Sequence, residues 1–221
     1  MISEFRTHKI TSLKLVLFLF IAALTVTFFM GKAHADEVFY VTPTGGTYNS
    51  IQDAINASSI GLDKVTIKVA EGRYHQSLNI GQAKDLTIQG GWNSTFTNRD
   101  TNRPTIVNGG DFGAGISINP GSTVVMDGLT VTHGSSSGLQ INNSTVTVRK
   151  SKIGRNHNIY RGGGIFSSQS TLIVEDTLVS ENSVVSGSLN TDATAGQGTL
   201  ANGGGYGGGG IYASDTYLTV R

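Results

Sequence analysis

Four stretches of this chain read Ser122-Thr-Val-Val-Met-Asp127, Ser144-Thr-Val-Thr-Val-Arg149, Ser170-Thr-Leu-Ile-Val-Glu175 and Thr216-Tyr-Leu-Thr-Val-Arg221. A glycine followed by an apolar residue precedes each one, at Gly115-Ile116, Gly138-Leu139, Gly164-Ile165 and Gly210-Ile211. The four starts are 22, 26 and 46 residues apart. The first two steps match one coil of a solenoid, and the third matches a coil with a long insertion. The period therefore predicts a stack of coils, which offers a long lateral surface in place of one deep pocket.

Alternation along each strand sets the facing of side chains. In the glycine-led strand Ile116, Leu139, Ile165 and Ile211 point inward, and Ser117, Gln140, Phe166 and Tyr212 point outward. In the next strand the pairs Val124/Met126, Val146/Val148, Leu172/Val174 and Leu218/Val220 face the core. The same phase puts Asp127, Arg149, Glu175 and Arg221 in one outward column of alternating sign. Parallel strands lie about 4.8 Å apart, so this column reads as a structural charge ladder, each exposed pair contributing about 0.2–1 kcal/mol. Gly134, Asn156 and Asn182 lie twelve residues after the repeat starts and predict stacked turn asparagines that bond from coil to coil.

The region before the repeats is less regular. Val65, Ile67 and Val69 alternate with polar residues, and Leu86 and Ile88 repeat the first two of them after 21 residues. Between them Ala70-Glu71-Gly72-Arg73-Tyr74 reads as a turn leading to Leu78 and Ile80. Gly90-Gly-Trp-Asn93, with Phe96 and Arg99, forms a loop before Thr105-Ile-Val107. Further upstream Ser50 is a candidate N-cap, with Ile51, Ala54 and Ile55 on one face of a helix. An amphipathic helix in that place suits the covering of an open solenoid end, where strand edges would otherwise lie bare.

Residues 1–35 have the layout of a secretory signal. Arg6, Lys9 and Lys14 lead into an apolar run over 15–29, and Ala33-His34-Ala35 forms a small-residue cleavage site. An uncleaved membrane anchor is the other reading, although the run falls short of the roughly 20 residues a spanning helix needs. Residues 36–221 then hold 12 basic and 14 acidic residues, which is no footprint for nucleic acid, and no transmembrane helix remains after cleavage. The chain has no cysteine, so export does not bring disulfide stabilisation. The organisation expected is a signal at 1–35, an N-terminal cap with irregular coils at 36–112, and regular coils at 113–221. A Gly/Ser/Thr-rich loop is inserted at 183–206. The glycine run 203–210 lacks the Lys-Ser/Thr of a phosphate loop and reads as a flexible return.

Arg161-Gly-Gly-Gly-Ile-Phe166, Ser170-Thr-Leu-Ile-Val174 and Leu178-Val-Ser-Glu-Asn182 together resemble the repeat of bacterial polymorphic outer-membrane proteins, with a second partial copy at 208–212. The aromatic of that family's second half is replaced here by Val179. Ser50-Ile-Gln-Asp-Ala-Ile55, Val69-Ala-Glu-Gly-Arg-Tyr74 and Gly90-Gly-Trp-Asn-Ser-Thr-Phe96 resemble the N-terminal part of pectin-lyase-like right-handed β-helix proteins. The resemblance implies an all-β, right-handed parallel β-helix with an N-terminal capping helix. It does not imply one activity, because that superfamily holds lyases, hydrolases, esterases and adhesins.

Polysaccharide-cleaving members carry clustered carboxylates, or calcium-binding acids with Arg or Lys, on an outward strand face. The column Ser117, Gln140, Phe166 and Tyr212 offers no acid or base, and Asp111 and Asp127 belong to other parts of the coil. His133 and His157 sit near turns with no third ligand in view, so no metal and no cofactor is expected. Gln140, Phe166 and Tyr212 are the candidate ligand-binding residues, with a polysaccharide or a host or neighbouring cell surface as partner. The reading is an exported, non-enzymatic, adhesin-like or glycan-contacting protein of the cell surface, outer membrane or extracellular space. The alternative is a polysaccharide lyase or esterase with catalytic residues beyond residue 221. Leu218-Thr-Val-Arg221 occupies a core strand with nothing after it, so the chain is expected to be C-terminally incomplete, a fragment of a longer protein.

Overall fold

A computed structural model describes residues 36–44, 46–58, 64–81, 85–184, 193–194, 200–202 and 209–221. The expected signal at 1–35 and most of the insertion at 183–206 lie outside the described residues. Each coil passes through three faces in a fixed order. The first face is a seven-stranded sheet of Glu37–Val41, Val65–Ala70, Leu86–Trp92, Thr123–Asp127, Thr145–Arg149, Thr171–Glu175 and Tyr217–Val220. The second holds Gly72–His75, Thr105–Asn108, Thr130–Thr132, Lys152–Gly154 and Leu178–Ser180. The third holds Leu78–Ile80, Ile116–Ile118, Leu139–Asn142, Ile165–Ser168 and Ile211–Ser214. Pairing between coils is parallel, which makes the chain an all-β parallel β-helix. Ala193–Thr194 adds an antiparallel strand to the second face, and Leu200–Asn202 adds a parallel one to the third.

The inward rows follow the repeat phase. Ile116, Leu139, Ile165 and Ile211 are in register on the third face, and all four are buried. On the first face Leu86, Val124, Val146 and Leu172 form one buried row and Ile88, Met126, Val148 and Val174 the next. At about 1.5–3 kcal/mol per buried side chain, these rows offset chain entropy jointly and not coil by coil. The second face was not legible as a strand in the repeats. It contributes one deep inward residue per coil, Val131, Ile153 or Val179, and three residues are too few for alternation to show. Gly72–His75, read from sequence as a turn, is a strand of this same face.

The corners between faces share one backbone device. Gly121, Asn143, Gln169 and Asp215 have positive φ at one corner, Gly128, Lys150 and Asp176 at the next, and His133, Arg155 and Glu181 at the third. Within a coil these left-handed residues are spaced by seven and then five positions. The residue after a corner is then often a hydroxyl or amide that ties two coils. The Ser144 amide donates to Ser170 Oγ (3.2 Å), that of Ser151 to Thr177 Oγ1 (3.3 Å) and that of Asn156 to Asn182 Oδ1 (3.0 Å). The asparagine amides also donate to backbone carbonyls, Asn182 Nδ2 to Ile153 O at 2.8 Å, so the expected asparagine ladder is present and buried. Each non-glycine left-handed corner costs about 1–2 kcal/mol, and these side-chain bonds offset it.

At the N-terminal end the helix Ile51–Ser58 buries Ile51, Ala54 and Ile55 against the first coil. Ser50 is its N-cap, its Oγ accepting from the Asp53 amide at 3.3 Å. Gln52 extends the cap to the sheet edge: its Oε1 accepts from the Asn79 amide (2.7 Å) while its Nε2 donates to the Asn79 carbonyl (3.0 Å). One side-chain amide thus stands in for the missing strand beside Leu78–Ile80. Among the described residues no helix is long and apolar enough to cross a membrane.

Candidate functional site

On the third face Gln140 and Phe166 are half-buried and in register, as their outward phase requires. Tyr212 differs. It follows Phe166 in register and stacks on it, with centroids 5.6 Å apart and planes 6° from parallel, but it is only 1% exposed. The expectation of an exposed Tyr212 is therefore corrected. Arg161, from the loop ahead of the strand, lies 4.8 Å from the ring centroid and donates from Nη1 to the Tyr212 hydroxyl at 2.6 Å. Strand alternation aims the ring outward, and it lies between Phe166 and the added strand Leu200–Asn202 with Arg161 bonded to its hydroxyl.

The charged column on the first face also differs from a uniform exposed ladder. Asp127 is 3% exposed and accepts from two guanidinium groups. Arg99 Nη2 donates to Oδ1 at 2.6 Å and Arg149 Nε to Oδ2 at 2.9 Å. Arg99 further donates to the Asp127 and Gly90 carbonyls, and so clamps the loop after Trp92 onto the sheet. Glu175 pairs with Arg221. Both Asp127 oxygens accept from guanidinium groups, so the carboxylate is held in ion pairs with Arg99 and Arg149. The sequence reading placed Arg99 in a loop and did not connect it to Asp127.

Beside this column lies an aromatic cluster. The Lys68 ammonium sits 4.3 Å from the Trp92 ring centroid and 5.7 Å from that of Tyr40, and Phe96 packs edge-on against Tyr40 at 4.9 Å. Trp92 Nε1 is buried without a hydrogen-bond partner. At the third corner His133 Nδ1 is 2.9 Å from Thr132 Oγ1, and the Arg155 guanidinium, 2.7 Å from Glu181, holds that carboxyl below the usual carboxylate range. Among the described residues no group of three His, Cys, Asp or Glu is placed to hold a metal ion.

A concave surface with polar walls runs along the corner between the third and first faces. It is a groove of about 480 Å³ that crosses four coils. Asn143, Gln169 and Asp215 line one wall, projecting from left-handed corners. Thr145, Thr171 and Tyr217 line the other, and Tyr217 is 72% exposed. The recurring Ser122-Thr123, Ser144-Thr145 and Ser170-Thr171 of the sequence repeat line this groove, although the sequence reading drew from the repeat only its inward rows and charged column. The corner residues Asn143, Gln169 and Asp215 that complete it share only their place in the coil.

No family model matches the chain, and no curated protein matches it. Among solved structures it is similar to the pectin methylesterase of Aspergillus niger in deglycosylated form, at 15% identity and a TM-score of 0.40. The same enzyme with an N-acetylglucosamine stub matches at 14% identity and a TM-score of 0.39. Each comparison covers 85% of this chain and 73% of the other. At that distance no residue role passes from those enzymes to this chain.

Proposed function

We propose that this chain is an exported, non-catalytic, adhesin-like module that contacts glycans, and that the groove between its third and first faces is the contact surface. The carrying observation is the chemistry of the groove: two amides, a carboxylate and threonine hydroxyls, with an exposed tyrosine ring at one end. Sugars present hydroxyls that both donate and accept, and apolar ring faces that stack on aromatics; amides and hydroxyls match the first and Tyr217 the second. Gln140 and Phe166 are half-buried in register on the adjoining third face, with Tyr212 stacked on Phe166. Glycosidic acid–base chemistry needs two free carboxyl groups about 5–10 Å apart. Asp127 and Glu175 are both engaged by arginines, and Asp215 is the one acid lining the groove. Glycan-array binding by residues 36–221, weakened roughly tenfold by Tyr217→Ala, is the expected result, equivalent to about 1.4 kcal/mol of stacking. Undiminished binding by that variant removes the groove from the reading.

A second reading, an esterase or lyase of polysaccharide, draws on one observation. Gln89, Asp127 and Arg149 sit on consecutive strands of the first face, placing an amide, an acid and a cation side by side. Incubation of residues 36–221 with pectic polymers, with and without calcium, separates the readings. Release of methanol or unsaturated products, abolished by Asp127→Asn, installs the enzymatic one; no turnover supports the module.

A further inference from the structure

We infer that a second groove, at the corner between the first and second faces, binds a linear glycan carrying sulfate esters. This groove of about 350 Å³ lies on the opposite edge of the first face from the one described above. It also crosses four coils, about 14 Å along the stack at the usual strand spacing. Its charged lining is Arg103, Lys150, Lys152 and Asp176. Three cations against one acid stand out in residues 36–221, which hold 12 basic and 14 acidic residues. The local charge therefore opposes the charge of the whole, and an anionic partner fits it.

The state of each cation narrows the anion. Arg103, whose planar fork suits a carboxylate, already pairs with Glu71 at 3.6 Å. Lys152 reaches Glu181 only at 3.9 Å, and Glu181 is held more closely by Arg155 at 2.7 Å. Lys150 is exposed at a left-handed corner and has no ion-pair partner among the described residues. The groove thus leaves ammonium groups, which act as point charges and attract compact, permanently ionised groups such as sulfate esters. Thr101 and Thr130 line the same corner and add hydroxyls for the sugar. No aromatic residue lines it, so base stacking by a single-stranded nucleic acid has no platform here.

The test is calorimetric titration of residues 36–221 with a heparin oligosaccharide and with its desulfated form, which keeps the carboxylates. Binding of the sulfated chain, at least tenfold weaker for the desulfated one and falling as salt rises from roughly 0.05 to 0.5 M, is expected. The double variant Lys150→Asn, Lys152→Gln should lose at least tenfold in affinity; asparagine is chosen because it tolerates the left-handed corner. Unchanged emission from Trp92, the sole tryptophan, and an unchanged melting temperature check that the variant is folded. Absence of binding, equal affinity for the desulfated chain, or no effect of the double variant overturns the inference. Loss of heparin binding in Tyr217→Ala also overturns it, because the anion would then sit in the other groove and the proposed function would stand without this site.

Discussion

At Asp127 both carboxylate oxygens are engaged, Oδ1 by Arg99 and Oδ2 by Arg149 and Arg99 together, and the residue is nearly inaccessible to water. Its replacement by alanine should cost about 1–3 kcal/mol, read as a shift in the urea midpoint, because charge-assisted bonds are lost and the Arg99 clamp opens. Glu175→Ala removes a more exposed pair and should cost under about 1 kcal/mol. Equal effects of the two would show that burial at Asp127 carries no weight. Tyr74 offers a pH test at the same scale. Its hydroxyl is buried and donates to the Ala70 carbonyl at 3.1 Å, and burial pushes its pKa far above the ordinary value of 10.0. A tyrosine kept neutral when folded favours folding fully below the unfolded pKa. Above about pH 10 the unfolded chain gains by releasing the proton and stability falls. Tyr74→Phe should lose about 1 kcal/mol at neutral pH and flatten the alkaline decline in melting temperature.

At the scale of strands and corners, the repeats carry the fold in two complementary ways. Inward rows were readable because alternation in Val146/Val148 or Leu172/Val174 is a local pattern. Leu172→Asp puts an unpaired charge at a fully buried position and should prevent folding at ordinary temperature, seen as loss of the far-ultraviolet strand signal. The turn asparagines were readable for the same reason, as a recurrence at fixed spacing. Asn182→Ala strands the Asn156 amide and the Ile153 carbonyl and should cost about 2–4 kcal/mol in chemical denaturation. The left-handed corners were not readable, since Lys150, Gln169, Asp176 and Glu181 have no chemistry in common that demands positive φ. Gln169→Gly should be neutral or stabilising, and Gln169→Val should cost about 1–2 kcal/mol, because only glycine takes that conformation without strain.

Across the whole molecule, the N-terminal end is closed by a helix and by one amide that completes a sheet edge. Gln52→Ala should expose the backbone of Leu78–Ile80, lower stability by about 1–2 kcal/mol and produce concentration-dependent association in light scattering. The sequence by itself determined the solenoid period, the three inward rows, the capping helix with Ser50 at its start and the asparagine ladder. Each of these is a periodic or neighbouring relation, and chain alternation enforces it wherever the strand lies. Tertiary structure alone decided the state of the outward groups. Tyr212 lies between Phe166 and the strand Leu200–Asn202 and is bonded by Arg161, 51 residues away, and Asp127 is clamped by Arg99 at a separation of 28. Both grooves arise from residues of four coils brought into columns about 4.8 Å apart. Alternation sets which way a side chain leaves the sheet; what meets it there depends on loops of unequal length folding back over the faces, and no local pattern encodes that.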